Sequence, residues 1–235
     1  SKEALTLSRE FSHPYNLVYA LNLASRVCWL QGKQEAVQKV QAELVAFSQE
    51  QGFTSYLALG KVLGGWVVAE QGNREEGLNQ MRQNLVAWRA TGAESARPYY
   101  LALLAEVYGT VRQPEEGRRV VDEGLAEGGN TGGRFFEAEL YRLRGELTLA
   151  QSRIQSLESR VREAEECFLK ASDIARWQQA KSLELRAVIS LARLWRQQGK
   201  TAEARQLLAE IYSWFTEGLN TKDLREAKAL LEELR

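Results

Sequence analysis

The chain has 235 residues, 44% of them hydrophobic and 26% charged, with only 3 prolines, which excludes a disordered or collagen-like polymer and suits a folded helical protein. Lysine plus arginine equals aspartate plus glutamate at 31 each, so no net field draws the chain to nucleic acid or to an anionic membrane surface. No apolar run approaches the roughly 18 residues that a bilayer-spanning helix needs, so neither nucleic acid nor membrane is expected as a partner.

Along the chain a glutamate followed by a small residue recurs as Glu35-Ala36, Glu76-Gly77, Glu116-Gly117, Glu163-Ala164 and Glu203-Ala204, at spacings of 41, 40, 47 and 40. Such a period marks a stack of supersecondary units. Turns precede these pairs at Gln31-Gly32-Lys33, Gln71-Gly72-Asn73, Arg112-Gln113-Pro114 and Gln198-Gly199-Lys200. Glycine suits the left-handed residue that closes a helix, and proline suits a first turn, where its missing N–H costs no hydrogen bond. Between turns the apolar residues follow helical spacing, as in Leu17, Leu21, Ala24 and Cys28, and no stretch alternates like a strand.

In chain order, the predicted elements begin with a remnant helix over residues 1–12. Five two-helix hairpins follow, pairing 14–31 with 34–50, 54–71 with 74–90, 96–111 with 114–127, 135–151 with 161–179, and 182–198 with 201–217. The hairpin units span residues 13–52, 53–92, 93–133, 134–180 and 181–219, and a capping helix in 220–235 ends a single all-α domain over 1–235. Pro14 and Pro98 open first helices and Pro114 opens a second helix. A polar insertion from Gln151 to Arg160 lengthens the loop of the fourth hairpin, and Gly128, Gly129, Gly132 and Gly133 make the third connection the expected flexible joint.

In the fourth hairpin Gly145, Ala164, Phe168 and Ala171, and in the fifth Leu191, Ala192, Trp195, Gly199 and Ala204, resemble the small and large core positions of the tetratricopeptide repeat family. Glu43 and Asn84 stand where that family usually has alanine, Val68 and Thr148 stand where it has tyrosine, and the period exceeds the family's, which is about 34 residues. The resemblance implies a right-handed superhelical solenoid whose first helices line a concave face. The segments Trp88 to Glu94, Phe136 to Leu143 and Trp214 to Gly218, with Leu224 to Leu234, are similar to the C-terminal helical-repeat region of bacterial class III nucleotide cyclases linked to a predicted ATPase of the STAND/AAA type. In that family the chemistry lies upstream, so the resemblance implies a regulatory arm. A first residue other than methionine is what a piece of such a longer protein would show.

His13 is the sole histidine, which removes histidine triads and two-histidine metal sites by count. Cys28 and Cys167 lie far apart inside apolar helical stretches and read as buried, reduced thiols, as expected of a cytoplasmic protein. The run Gly128 to Arg134 lacks the lysine and hydroxyl residue of a phosphate-binding loop, and the carboxylates Glu163, Glu165, Glu166, Glu232 and Glu233 suit solvated helix faces. No catalytic residue, cofactor or metal is therefore expected. The concave-face candidates are Tyr19, Asn22, Arg26, Trp29, Trp66, Tyr99, Glu106, Glu139, Arg142, Glu146, Arg186, Arg193 and Arg196. Tyr, Trp and Arg are the residue types that most often carry binding energy. The tryptophans have packing between hairpins as their alternative role, and the arginines have pairing with Glu184, Glu139 or Glu146. The expected function is a non-catalytic scaffold binding a peptide or protein domain, upstream domains of its parent included; the alternative is a small-molecule sensor controlling an attached ATPase or nucleotide cyclase.

Overall fold

The computed structural model describes residues 2–10, 13–93, 96–128, 134–151 and 156–235. Among these, twelve α-helices form: α1 (Lys2–Glu10), α2 (Pro14–Leu30), α3 (Gln34–Gln51), α4 (Thr54–Glu70), α5 (Arg74–Ala90), α6 (Arg97–Thr110), α7 (Pro114–Gly128), α8 (Glu137–Ala150), α9 (Leu157–Trp177), α10 (Lys181–Gln197), α11 (Thr201–Ser213) and α12 (Lys222–Glu233). A 3-10 turn at Arg134–Phe136 leads into α8, and no strand occurs among the described residues. Consecutive helices pack as pairs, α2 with α3, α4 with α5, α6 with α7, α8 with α9 and α10 with α11, which is the arrangement of a tetratricopeptide-like helical repeat.

The helix-ending turns share one hydrogen-bond pattern. Gly32, Gly72 and Gly199 take φ of 63°, 104° and 79°, in the left-handed region where a side chain is penalised. At the first of them Gly32 N–H donates to the Trp29 carbonyl at 2.8 Å and Lys33 N–H donates to that of Cys28 at 3.0 Å. The third turn repeats the geometry with Arg112 at φ 59°, Arg112 N–H donating to the Gly109 carbonyl at 3.3 Å and Gln113 N–H to that of Tyr108 at 3.0 Å. The sequence reading of Pro114 as a helix opener places this turn even though it has no glycine at its left-handed residue.

The chain divides into two compact units, Ser1–Ser95 and Ala96–Arg235. In the first, Leu21, Leu44, Leu63, Met81 and Trp88 are fully buried. Its closest helix pair is α4 with α5, where a Cβ on Gly77 would stand 2.4 Å from the Gly65 carbonyl oxygen. In the second unit, one cluster gathers Leu140, Leu143 and Leu147 of α8 on Ala102 and Ala105 of α6. Another sets Ala164 and Phe168 of α9 against Leu191 and Leu194 of α10, and a third joins α10 and α11 to Leu224, Ala227 and Leu230 of α12. A Cβ on Gly145 would meet the Phe168 ring at 2.4 Å, so the small and aromatic positions of the fourth hairpin do pack face to face.

Two boundaries and one burial differ from expectation. The insertion in the fourth hairpin is partly helical: α9 starts at Leu157, because the Ser156 hydroxyl caps it by accepting from Ser159 N–H at 3.2 Å. Helix α11 stops at Ser213, four residues early, and Trp214 and Phe215 meet edge to face at 5.1 Å beyond it. Cys28 is only half-buried, while Cys167 is buried. Both thiols are free, and burial pushes each above its ordinary pKa. The glycine joint after α7 and the end of the remnant helix lie outside the described residues. Among those described, no helix is long and apolar enough to cross a membrane.

Candidate functional site

On α8, Glu139, Arg142 and Glu146 are separated by three and four residues, a spacing that keeps all three on one helical face. On α10, Arg186, Ser190 and Arg193 share a face for the same reason, as do Asp223 and Glu226 on α12. These faces meet within the second unit. They enclose a polar cleft of about 180 Å³, lined by Glu106, Arg142, Arg186, Ile189, Ser190, Arg193, Lys222, Asp223 and Glu226.

Glu139 lies under the cleft at 1% exposure and anchors its ion pairs. Arg142 donates to it twice, from Nε at 3.0 Å and Nη2 at 2.7 Å, and Arg186 donates from Nη1 at 3.2 Å. Arg186 then reaches Asp223 through Nε at 2.8 Å, tying α8, α10 and α12 together. Glu146 accepts from the Ser190 hydroxyl at 2.6 Å and lies 3.6 Å from Arg142. Further along α10, Arg193 pairs with Glu226 and Arg196 with Glu233.

Burial by itself would raise the Glu139 pKa, but the charges and hydrogen bonds of Arg142 and Arg186 outweigh it and hold the carboxyl down to about 2. Burial opposes the charge on both arginines, yet Glu139 and Asp223 leave Arg186, and Glu139 and Glu146 leave Arg142, more firmly protonated than a free guanidinium. These groups keep their charge throughout the neutral range. That property serves electrostatic recognition better than proton transfer.

A second cavity, of about 220 Å³, lies among Arg176, Lys181, Glu184, Val188, Leu207, Glu210, Ile211, Ser213 and Trp214. Its buried Glu184 accepts from Arg176 at 3.1 Å and from Lys181 at 2.7 Å. Glu184 is therefore a partner of these two residues, whereas Arg186 takes Glu139.

Of the sequence-derived candidates, Glu106, Arg142, Arg186 and Arg193 line the polar cleft, with Glu139 beneath it and Glu146 beside it through Ser190. Arg196 is exposed on the same helix. In the first unit Tyr19 is exposed and Arg26 half-buried, while Asn22, Trp29 and Trp66 are buried. Tyr99 and Glu139 are also buried, and Tyr99 packs on Tyr100 and Phe136, each at 4.8 Å. Asn22, Trp29, Trp66, Tyr99 and Glu139 are thus corrected from groove surface to packing or bracing residues. The reason is that helices of this length bring neighbouring side chains over their inner positions, and rings gain more from burial there than from facing water. Sequence reasoning missed Ser190, Lys222, Asp223 and Glu226. A usable signal existed: the acids of α12 at 223, 226 and 233 complement the arginines of α10 at 186, 193 and 196. Among the described residues, no group of three or more His, Cys, Asp or Glu is placed to hold a metal ion.

No protein-family model matches the chain. An uncharacterised protein of Rhizobium meliloti is 24% identical over 140 residues, a match that takes in 60% of this chain and 14% of that protein's length. Among solved structures, the TPR-like repeats of a Podosopora anserina chain assigned as a kinesin light chain superpose with a TM-score of 0.53 at 15% identity, covering 95% of this chain and 99% of that one. The likeness establishes a tetratricopeptide-like fold.

Proposed function

We propose that the chain is a non-catalytic module that binds a protein partner through the polar cleft of its second unit. The observation that carries this reading is the cleft itself, which presents fixed charges of both signs from three first helices and α12. Its volume of about 180 Å³ is below the roughly 300–1,000 Å³ of pockets that enclose drug-sized ligands. A cleft of that size suits polar side chains of a bound peptide and disfavours the alternative of a metabolite sensor. The family resemblance adds the finer reading: a cytoplasmic regulatory arm of a bacterial signalling protein, whose partners include upstream cyclase or ATPase domains.

Arg186 braces the fold, so the informative changes are at the exposed residues Arg193 and Lys222. A displayed peptide library selected on the purified chain should yield binders whose affinity falls at least tenfold with Arg193→Glu plus Lys222→Glu, while the melting temperature stays within a few degrees. Binders indifferent to that pair would reject the cleft. A metabolite screen by thermal shift tests the sensor reading, since a ligand at 100 times its Kd adds about 2.7 kcal/mol.

A further inference from the structure

The cavity of about 220 Å³ among α9, α10 and α11 has a filled counterpart two hairpins earlier. The third and fifth hairpins share one turn geometry, with Arg112 and Gly199 as the left-handed residues, and this fixes a common register for both. In that register Arg97 and Glu184 each stand 15 residues before the turn residue, Glu123 and Glu210 each 11 after it, and Glu127 and Trp214 each 15 after it. In the third hairpin the buried Arg97 of α6 pairs with Glu123 and Glu127 of α7, so a guanidinium occupies the place. In the fifth, Glu184 stands where the arginine would be and is engaged elsewhere, by Arg176 of α9 at 3.1 Å and Lys181 at 2.7 Å. The Glu210 carboxylate has no ion pair or hydrogen bond among the described residues, and Trp214 lines the same cavity at 59% exposure.

We infer that this cavity is a second recognition site, which takes an arginine side chain of a partner protein in the place that Arg97 fills in the third hairpin. Its charge is complementary. Arg176 and Lys181 are offset by Glu184 and by Asp173, 3.8 Å from Arg176, which leaves Glu210 as the uncompensated charge. The Trp214 ring already draws a cation, with Lys181 Nζ 6.0 Å from its centroid, at the outer limit of a cation–π contact. Glu184 holds that ammonium, whereas an incoming guanidinium can lie flat on the indole and fork onto a carboxylate. Val188, Leu207 and Ile211, each buried or half-buried, supply apolar wall for the arginine stem. A cavity of about 150 Å³ holds a benzene ring, so one of about 220 Å³ has room for the planar guanidinium with its stem. Glu210 and Trp214 are exposed, so the side chain enters from outside and its backbone stays in solvent. The walls come from three consecutive helices inside the repeat array and are no stacking face, and none of the residues is shared with the polar cleft.

The probe is an acetylated and amidated glycine peptide with one central arginine, titrated into the isotope-labelled chain and followed by NMR. Peptides with lysine or citrulline in its place, and free L-arginine, are the comparisons. The indole N–H signal of Trp214, identified by its loss in Trp214→Phe, should shift saturably with the arginine peptide. The lysine peptide should bind about fivefold more weakly, and the citrulline peptide, which keeps the shape without the charge, should not bind. Glu210→Gln, at an exposed residue, should cut the affinity about fivefold with unchanged melting. Arg193→Glu plus Lys222→Glu should leave the affinity as it is, so this site and the polar cleft are tested separately. An absent shift, equal binding of the lysine or citrulline peptide, or full affinity in Glu210→Gln overturns the proposal. Lost affinity in the Arg193 and Lys222 pair also overturns it by moving the site to the cleft, and tighter binding of free L-arginine than of the peptide overturns the assignment to a partner protein.

Discussion

Glu139 shows how much a single residue decides in the second unit. Its folded pKa of about 2 lies below the ordinary carboxyl value of 4.5, so the stability it supplies is fully present above pH 4.5 and is lost as pH falls towards 2. At about 1.4 kcal/mol per pKa unit, that contribution is about 3 kcal/mol. Acid titration of the folded chain should show this loss across the window from 4.5 to 2. Glu139→Gln should cost about 3–5 kcal/mol at pH 7, because it leaves Arg142 and Arg186 half-paired in the interior, and should flatten the acid limb of the stability profile. Chemical denaturation at several pH values checks both outcomes. The repeat resemblance set Glu139 on the inner face of its helix as groove surface; its bracing role was not legible, since a carboxylate on an inner face looks the same in sequence whether it meets solvent or two guanidinium groups.

At the scale of the element, the repeat turns explain why the hairpins were readable. Each places a left-handed residue at a fixed distance from the next helix, and three of the four use glycine. Arg112 is the exception, held at φ 59°. A side chain in this region costs about 1–2 kcal/mol, offset in part by the extra unfolded-state entropy of glycine, about 0.5–1 kcal/mol. Arg112→Gly should therefore stabilise the chain by about 0.5–1 kcal/mol, seen as a shift of the urea midpoint at unchanged slope. Element ends were less legible than element centres. The end of the insertion, from Leu157, turned helical because Ser156 supplies a cap, and α11 ended early where Trp214 and Phe215 turn onto each other. Both depend on which local hydrogen bonds and ring contacts win over the periodic pattern.

At the scale of the molecule, two compact units make lesions local. Gly145→Ala drives a methyl group into the buried Phe168 ring, and overpacking of about 1–3 kcal/mol outweighs the gain in helix propensity of about 0.5–1 kcal/mol. Hydrogen exchange should accelerate in α8, α9 and α10 of that variant and stay unchanged in α4 and α5, which belong to the other unit. The sequence alone determined the all-α class and the hairpin count, because periodicity and turn residues act within a few residues of one another, whereas the approach of Gly145 to Phe168 is seen only in the packed helices. Only the tertiary structure decided that Trp29, Trp66 and Tyr99 are core and that α12 claims the arginines of α10. Exposure and charge pairing depend on which distant helix lands on a given face, and helical spacing, identical for a covered and an open face, carries no record of it.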